Sequence, residues 1–453
     1  MEAFWNTLGT SFFKEKGYKD AVETFQEGLR RFPNSSQLHC NLAQVYIAQK
    51  RYRKALQHLH VAMQQKEPEW IVYFLAGNCH YLSNHFHKAI YFYNQFLSSE
   101  FNSPEVLTNL GKAYHKLLNI PKALSYFEKA LDIDPSFVKA HIDKGFTNLL
   151  IENWEPGWAD WEWRFKEFKK LFCKIDPFPY WKNESLENKR LLIASEQGLG
   201  DIIQFSRYIR SFPASLHLVV RCPSPIKNLL QKNFPEHEWI FENEETECDY
   251  QIPMQSLPHL LKIYNPHDVK ISFPYIQTPS KSLLPPSKKL KVGLVWKGNP
   301  LHDDDKNRSI PLSSFLPLLE KTKDHIEWYS LQKGEVLSSK IPMINLGERL
   351  LEFSETAEAI NALDLVISVD TSVAHLAGAM NKPVWVLIPF FPDWRWGLKK
   401  ETTDWYPSMR LFRQKRRQDW KGPLDMVYRE LENQVLLLNE CNTTSFIDQK
   451  NLR

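Results

Sequence analysis

A step of 34 residues governs the first third of the chain. Gly9, Ala43, Gly77, Gly111 and Gly145 stand 34 positions apart, and Ala21, Ala55, Ala89 and Ala123 keep the same step. Phe25, Leu59, Tyr93 and Phe127 form a third register, and Pro33 and Pro135 close the first and fourth units. Small residues at the first two registers let two antiparallel helices approach closely. The large residue of the third register fills the gap between neighbouring units. A hairpin of this kind cannot bury its apolar face alone, so successive copies must stack into a solenoid.

The pattern is that of tetratricopeptide repeats and covers residues 2–137 as four units. Stacked hairpins make a concave groove that holds an extended peptide or a partner helix, and they carry no chemistry of their own. A partial fifth unit and a tryptophan-rich junction occupy 138–185. Within it, Trp154, Trp158 and Trp161 are spaced at i, i+4 and i+7, on one helical face. Such a face serves either as a sugar-stacking surface or as the packed cap that a solenoid end needs.

Composition removes several classes. Of 453 residues, 43% are apolar and 24% charged, and the net charge is only +4, which gives no footprint for nucleic acid. Six scattered cysteines form no CxxC pair, so neither a zinc site nor a disulfide framework is expected. There is no basic-then-apolar leader and no apolar run of spanning length. The expectation is a cytoplasmic protein, with room left for peripheral contact with a membrane surface.

From about residue 186 the texture changes to short apolar runs alternating with helix-length segments. "RLLIA", "LHLVVRC", "WIFE" and "YQIP" read as strands of one Rossmann-like lobe, 186–280. "KVGLVW", "IEWYSLQ", "MINLG", "DLVISVD" and "PVWVLIP" read as strands of a second lobe, 290–435. A proline- and serine-rich linker, 281–289, separates them, and 436–453 reads as a polar tail. Runs apolar on both faces indicate parallel sheets, whose ligands sit beyond the carboxyl ends of the strands.

Three loops at such ends carry candidate chemistry. In "SEQGLGDIIQF", Gly198 and Gly200 form the turn, and Asp201 sits where an anion would otherwise bind. It either caps the helix or serves as a general base. In "DLVISVDTSVAHLAGA", a buried strand ends at Asp370, and Thr371, Ser372 and His375 open a helix whose free amides suit an anion. In "VWKGNPLHDDDKNRSIP", Lys297 and Arg308 suit a diphosphate, and Glu335 in "SLQKGE" suits ribose hydroxyls. Asp303 and Asp305 make a formal DxD inside a heavily charged loop that reads as solvated, and no metal is expected. "RLFRQKRRQDWKG" reads as a solvated basic face.

Together, "GLGDIIQF", "GLVWKGNP", "NRSIP", "SLQKG", "DTSVAHLAGA" and "PDWRW" resemble bacterial tetratricopeptide-repeat glycosyltransferases, whose catalytic half is similar to the lipopolysaccharide heptosyltransferases. The resemblance implies an α solenoid followed by an α/β GT-B fold of two Rossmann-like lobes. It implies inverting transfer from a nucleotide-sugar, taken as substrate, with no metal or other cofactor. Asp201 then maps to the proposed base. Asp370, Thr371, Ser372 and His375 map to the donor diphosphate block, with Arg308 ahead of Lys297 as the phosphate cation and Glu335 at the ribose. The acceptor is a protein or a glycan, and the repeat groove takes a protein partner. Two other readings stay open: a catalytically silent scaffold, and an enzyme acting on a lipid-linked saccharide.

Overall fold

The computed structural model describes residues 1–65, 69–98, 102–167, 177–278, 284–302 and 304–450. The chain divides into two compact units: Met1–Asn148 with Asp160–Glu167, and Leu149–Ala159 with the chain from Phe168 onward.

The first unit is a run of helical hairpins: Glu2–Lys14 with Tyr18–Arg31, Ser36–Ala48 with Tyr52–Met63, Ile71–Leu82 with Phe86–Leu97, and Pro104–Lys116 with Ile120–Ile133. The registers explain the pairing. A Cβ on Gly9, Gly77 or Gly111 would lie 2.5, 2.4 or 2.4 Å from the ring of Phe25, Tyr93 or Phe127 respectively. The second hairpin exchanges both partners, with buried Ala43 where the others have glycine and buried Leu59 where they have a ring. Volume is therefore traded within each hairpin, as close packing requires.

A further register escapes composition. Lys16, Lys50, Asn84, Leu118 and Glu152 all adopt φ between 59 and 63°, the left-handed conformation, in the turns that end each leading helix. They too are 34 residues apart, so the repeat phase persists through the helix Val138–Leu150. This helix lies in the partial fifth unit read from 138, and the first compact unit runs on to Asn148.

The second unit holds two sheets. The first has the order β3-β2-β1-β4, all parallel, with β1 Leu191–Ala194, β2 Leu218–Cys222, β3 Glu238–Phe241 and β4 Tyr250–Pro253. The second has the order β10-β11-β9-β8-β5-β6-β7, with β5 Leu290–Val295, β6 Ile326–Ser330, β7 Ile344–Asn345, β8 Leu365–Val369, β9 Val384–Ile388, β10 Thr402–Thr403 and β11 Tyr406–Arg413. Only the β10–β11 pair is antiparallel. Strand order reverses between β1 and β4 in one lobe and between β5 and β8 in the other, the switch points where such sheets bind ligands. The architecture is an α solenoid followed by α/β lobes of the GT-B kind.

The structure bears on four of these readings. The basic stretch read as a solvated face begins inside β11, where Leu411 and Phe412 are buried and Arg413 donates to the carbonyls of Lys400, Gly397 and Trp396, while Lys415, Arg416 and Arg417 beyond it are exposed. The tail from 436 is not separate, because a single helix runs Lys421–Lys450, anchored by buried Leu424, Val427 and Leu431 at helical spacing. Of the two readings of the tryptophan face, packing holds for Trp158, which is buried against Phe205 and Trp394, with its indole N–H on the carbonyl of Tyr264 at 2.9 Å. Trp161 takes the place, 16 residues after Gly145, that the rings of the earlier units occupy. Finally, the crossing between lobes starts before the expected linker. The amides of Tyr275 and Ile276 already bond the carbonyl of Ala379, and residues 281–283 of that linker lie outside the described residues.

Candidate active site

The turn after β1 leads into the helix Leu199–Ser206. Its left-handed residue is Gln197, at φ 62°, not a glycine. Gly198 is the N-cap in extended backbone, and its amide donates to Asp201 Oδ2 at 2.9 Å. Gly200 is needed for a different reason. A Cβ there would lie 2.8 Å from the ring of His375 and 3.4 Å from Ser372 Cα, so glycine lets this helix lie directly on the helix Ser372–Ala379 of the other lobe.

Asp201 does cap its helix, and it also faces the second lobe. Its Oδ1 accepts from Gln255 Nε2 at 3.2 Å and pairs with the guanidinium of Arg395. Gln255 follows β4, so both loops of the β1/β4 switch point contribute, and buried Glu196 holds the Gln255 amide at 2.9 Å. Burial pushes the Asp201 carboxyl above its usual range, while Arg395 and the Gly198 amide pull against that.

The β5/β8 switch point collects a second group. Thr371 is the N-cap of the helix Ser372–Ala379, and its hydroxyl lies 3.0 Å from that of Ser368. Arg308 Nη1 donates to the carbonyl of Asp370 at 3.2 Å, and its Nε lies 3.4 Å from Asp305 Oδ1. Burial, then the carboxylate of Asp393, raises Asp370 to about 6, with Arg308 and Arg395 opposing. Asp370, Thr371, Ser372 and Arg308 are thus brought together. His375 is turned away from them: it is buried against Trp396, with Nδ1 2.8 Å from the Tyr406 hydroxyl, and burial lowers its pKa well below the usual value, leaving a neutral ring.

Lys297 and Glu335 meet each other, Nζ to Oε1 at 2.6 Å, on a partly exposed corner where Gln332 accepts from the Lys297 amide at 2.9 Å. Asp303 lies outside the described residues. Asp305 accepts from the Ser309 hydroxyl at 2.8 Å. A separate cleft of about 910 Å³, bordered by Arg210, Lys232, Lys270, Ser354 and Glu358, shares no residue with this site.

Sequence reasoning missed Arg395, Asp393 and Gln204. Arg395 Nη1 holds Asp393 Oδ1 at 2.7 Å and its Nε holds Gln204 Oε1 at 2.5 Å, so one guanidinium joins the turn after β9 to the helix after β1. The only signal was the cluster "PDWRW", in which one arginine is set among aromatic residues.

Comparison with known proteins follows the same division. Residues 12–71 and 104–137 match the tetratricopeptide repeat, and residues 339–387 match glycosyltransferase family 9 (heptosyltransferase). Protein FlbA of Caulobacter vibrioides is 22% identical over 68% of this chain and 62% of its own length. BBSome complex member BBS4 of Bos taurus is 26% identical over 39% of this chain and 33% of its own. The chain therefore spans less than two thirds of either relative. Among solved structures, the pilus biogenesis factor PilW is 16% identical, covering 38% of this chain and 80% of its own at a TM-score of 0.36. MamA is 18% identical, covering 37% and 88% at a TM-score of 0.30. Among the described residues, no helix is long and apolar enough to cross a membrane. The chain joins tetratricopeptide repeats, of the kind that hold protein partners, to an α/β unit carrying a glycosyltransferase family 9 segment.

Proposed function

We propose that the α/β unit transfers a sugar from a nucleotide-sugar to a hydroxyl acceptor in one inverting displacement that requires no metal. The observation that carries this reading is the placement of opposite chemistries at two switch points. A carboxylate, Asp201, stands on one lobe, and Arg308 with the amino end of the helix Ser372–Ala379 stands on the other. An acceptor hydroxyl has a pKa far above 7, so attack on an anomeric carbon gains from a carboxylate that takes its proton. Charge then grows on the departing diphosphate, where Arg308, the amides of Ser372 and Val373 and the hydroxyls of Thr371 and Ser372 would receive it. Glu335 is assigned to the ribose, with Lys297 as its counter-ion. A base and a leaving-group clamp on opposite sides of the sugar favour inversion.

Asp201 is a competent base in this arrangement. A carboxylate has about four acceptor positions. Gln255 and Arg395 bond Oδ1, Gly198 donates to Oδ2, and the Asp201 backbone amide also favours the charged form, so an acceptor hydroxyl would share Oδ2 with these donors. The same contacts favour a second reading, a silent scaffold in which Asp201 only ties the lobes. The repeats, in either case, would present a protein partner or the acceptor.

A thermal-shift panel of ADP, GDP and UDP and their common sugars, each with EDTA or with magnesium, separates the two readings. One diphosphate stabilising the protein regardless of metal, with the shift lost in Arg308→Ala, supports transfer. No shift with any member of the panel supports the scaffold.

A further inference from the structure

Arg395 is held more tightly than a surface arginine and in a more specific place. The residue lies in the short helix Trp394–Trp396, capped by Asp393, whose Oδ1 accepts from both the Arg395 amide at 3.1 Å and Nη1 at 2.7 Å. The guanidinium lies 4.4 Å from the Trp394 ring, and Trp394 is itself buried against Trp158, Phe205 and Trp405. Only 8% of the Arg395 side chain is exposed. From this shelf it reaches across the lobes to two side chains of one helix, Asp201 and Gln204, which are three residues apart and share a face.

We propose that Arg395 is the positioning residue of the site, holding Oδ1 of the Asp201 carboxylate from the opposite lobe so that Oδ2 is oriented for the acceptor. This rests on the glycosyl-transfer reading. Arg395 does not touch the reacting atoms in this role; it acts through Asp201. The fork geometry matters, because three separate N–H groups hold Asp201, Gln204 and Asp393 at once, which a lysine's single ammonium cannot match. It also bears on the charge of Asp201: burial raises that carboxyl's pKa, and Arg395 is the strongest influence that lowers it. The other groups around it come from every packed element: Asp393 beside Arg395, Glu196 on its own loop, neutral His375 on the facing helix, and Asp370 and Arg308 behind them. Of these, Asp393 works against ionisation of Asp201, whereas Arg395 favours it most, ahead of the Gly198 amide.

The test uses the full chain with Arg395→Met, Arg395→Lys, Asp201→Asn and the Met/Asn double variant, read in two ways. The first needs no donor. In melting at pH 8, the two single variants should be strongly non-additive, because Asp201→Asn removes the carboxylate that Arg395→Met strands; additive effects would overturn the pairing. The second is nucleoside-diphosphate release from the ADP-, GDP- or UDP-sugar that stabilises the wild type. In Arg395→Met the acid limb of kcat/KM should move up by at least one pH unit, about tenfold at a fixed pH on that limb, with the donor KM unchanged and part of the loss recovered in Arg395→Lys. An unmoved limb with a uniformly lower kcat would overturn positioning. Absence of turnover in the wild type beside a coupled pair would overturn the transfer reading, and with it the catalytic role of Arg395. Turnover beside an uncoupled pair would overturn this inference alone.

Discussion

Gly77 and Gly200 solve one steric problem in two parts of the molecule. Each lies where a Cβ would collide with a ring, that of Tyr93 at 2.4 Å for Gly77 and that of His375 at 2.8 Å for Gly200. In the repeats the ring lies 16 residues away and the arrangement recurs, so spacing reveals it. In the α/β unit the ring lies 175 residues away and the contact occurs once. Glycine beside a functional loop invites the reading that it admits a phosphate. Here it admits a helix from the other lobe.

Within the α/β unit, the buried seam and the exposed corner should differ most in how they respond to losing one charged partner. Arg395→Met strands Asp201 and Asp393 beside the seam, and the expected loss is about 3–5 kcal/mol in denaturant unfolding. Lys297→Met removes a pair whose side chains are 44% and 34% exposed, and should cost under about 1 kcal/mol. Comparable losses for the two variants would erase the distinction between the buried seam and the exposed corner.

Alanine at either glycine should cost about 1–3 kcal/mol by overpacking. What distinguishes the sites is the route to recovery. In the repeats the clean case is Gly111, whose ring neighbour Phe127 has no hydroxyl to lose: Gly111→Ala should be largely relieved by Phe127→Leu, because the second hairpin already pairs Ala43 with Leu59. Gly200→Ala should not be relieved by His375→Ala, which gives up the hydrogen bond to Tyr406. Thermal melting of the four variants decides this, and equal recovery at both sites would contradict the account.

Acid should act on the units in opposite directions through particular groups. Burial lowers His58 from 6.5 to about 4 and His115 to about 3, so the unfolded chain binds their protons more readily and the repeats lose stability as pH falls below 6.5. Asp370 is raised from 3.8 to about 6, so the folded form binds the proton more tightly. Its contribution to the α/β unit therefore weakens as pH rises from 3.8 to about 6 and is unfavourable at neutral pH. Asp370→Asn should stabilise at pH 7 and show no gain below pH 3.8, while His58→Gln should flatten the acid loss of the repeats. Melting against pH reads both.

The smallest effect concerns the left-handed turns. Leu118 holds φ 59° with a Cβ that disfavours it, so Leu118→Gly should stabilise by up to about 1 kcal/mol, offset in part by unfolded-chain entropy. A clear loss would show that the leucine side chain outweighs its backbone.

These comparisons also define how far the sequence reaches. The helical hairpins and the parallel strands follow from local periodicity, and strand–turn–helix units located Asp201, Asp370, Thr371 and Ser372 at strand ends. β11 was hidden because its buried residues alternate with arginines, and charge dominated the reading. The ion pair of Arg395 with Asp201 was hidden because 194 residues separate its members and nothing periodic links them. Lys297 and Glu335 were each legible as candidate ligands, but their mutual pairing depends on how the loops after β5 and β6 fold toward one another. His375 stands in the motif proposed to hold the donor, yet it packs into the seam against Trp396 and Tyr406.

The most direct test is a transfer assay on Asp201→Asn with the donor identified by the nucleotide panel. The account predicts that the variant binds donor as tightly as the wild type and loses nearly all turnover. Full turnover with unchanged donor affinity would contradict it, leaving Asp201 as a helix cap and lobe tie.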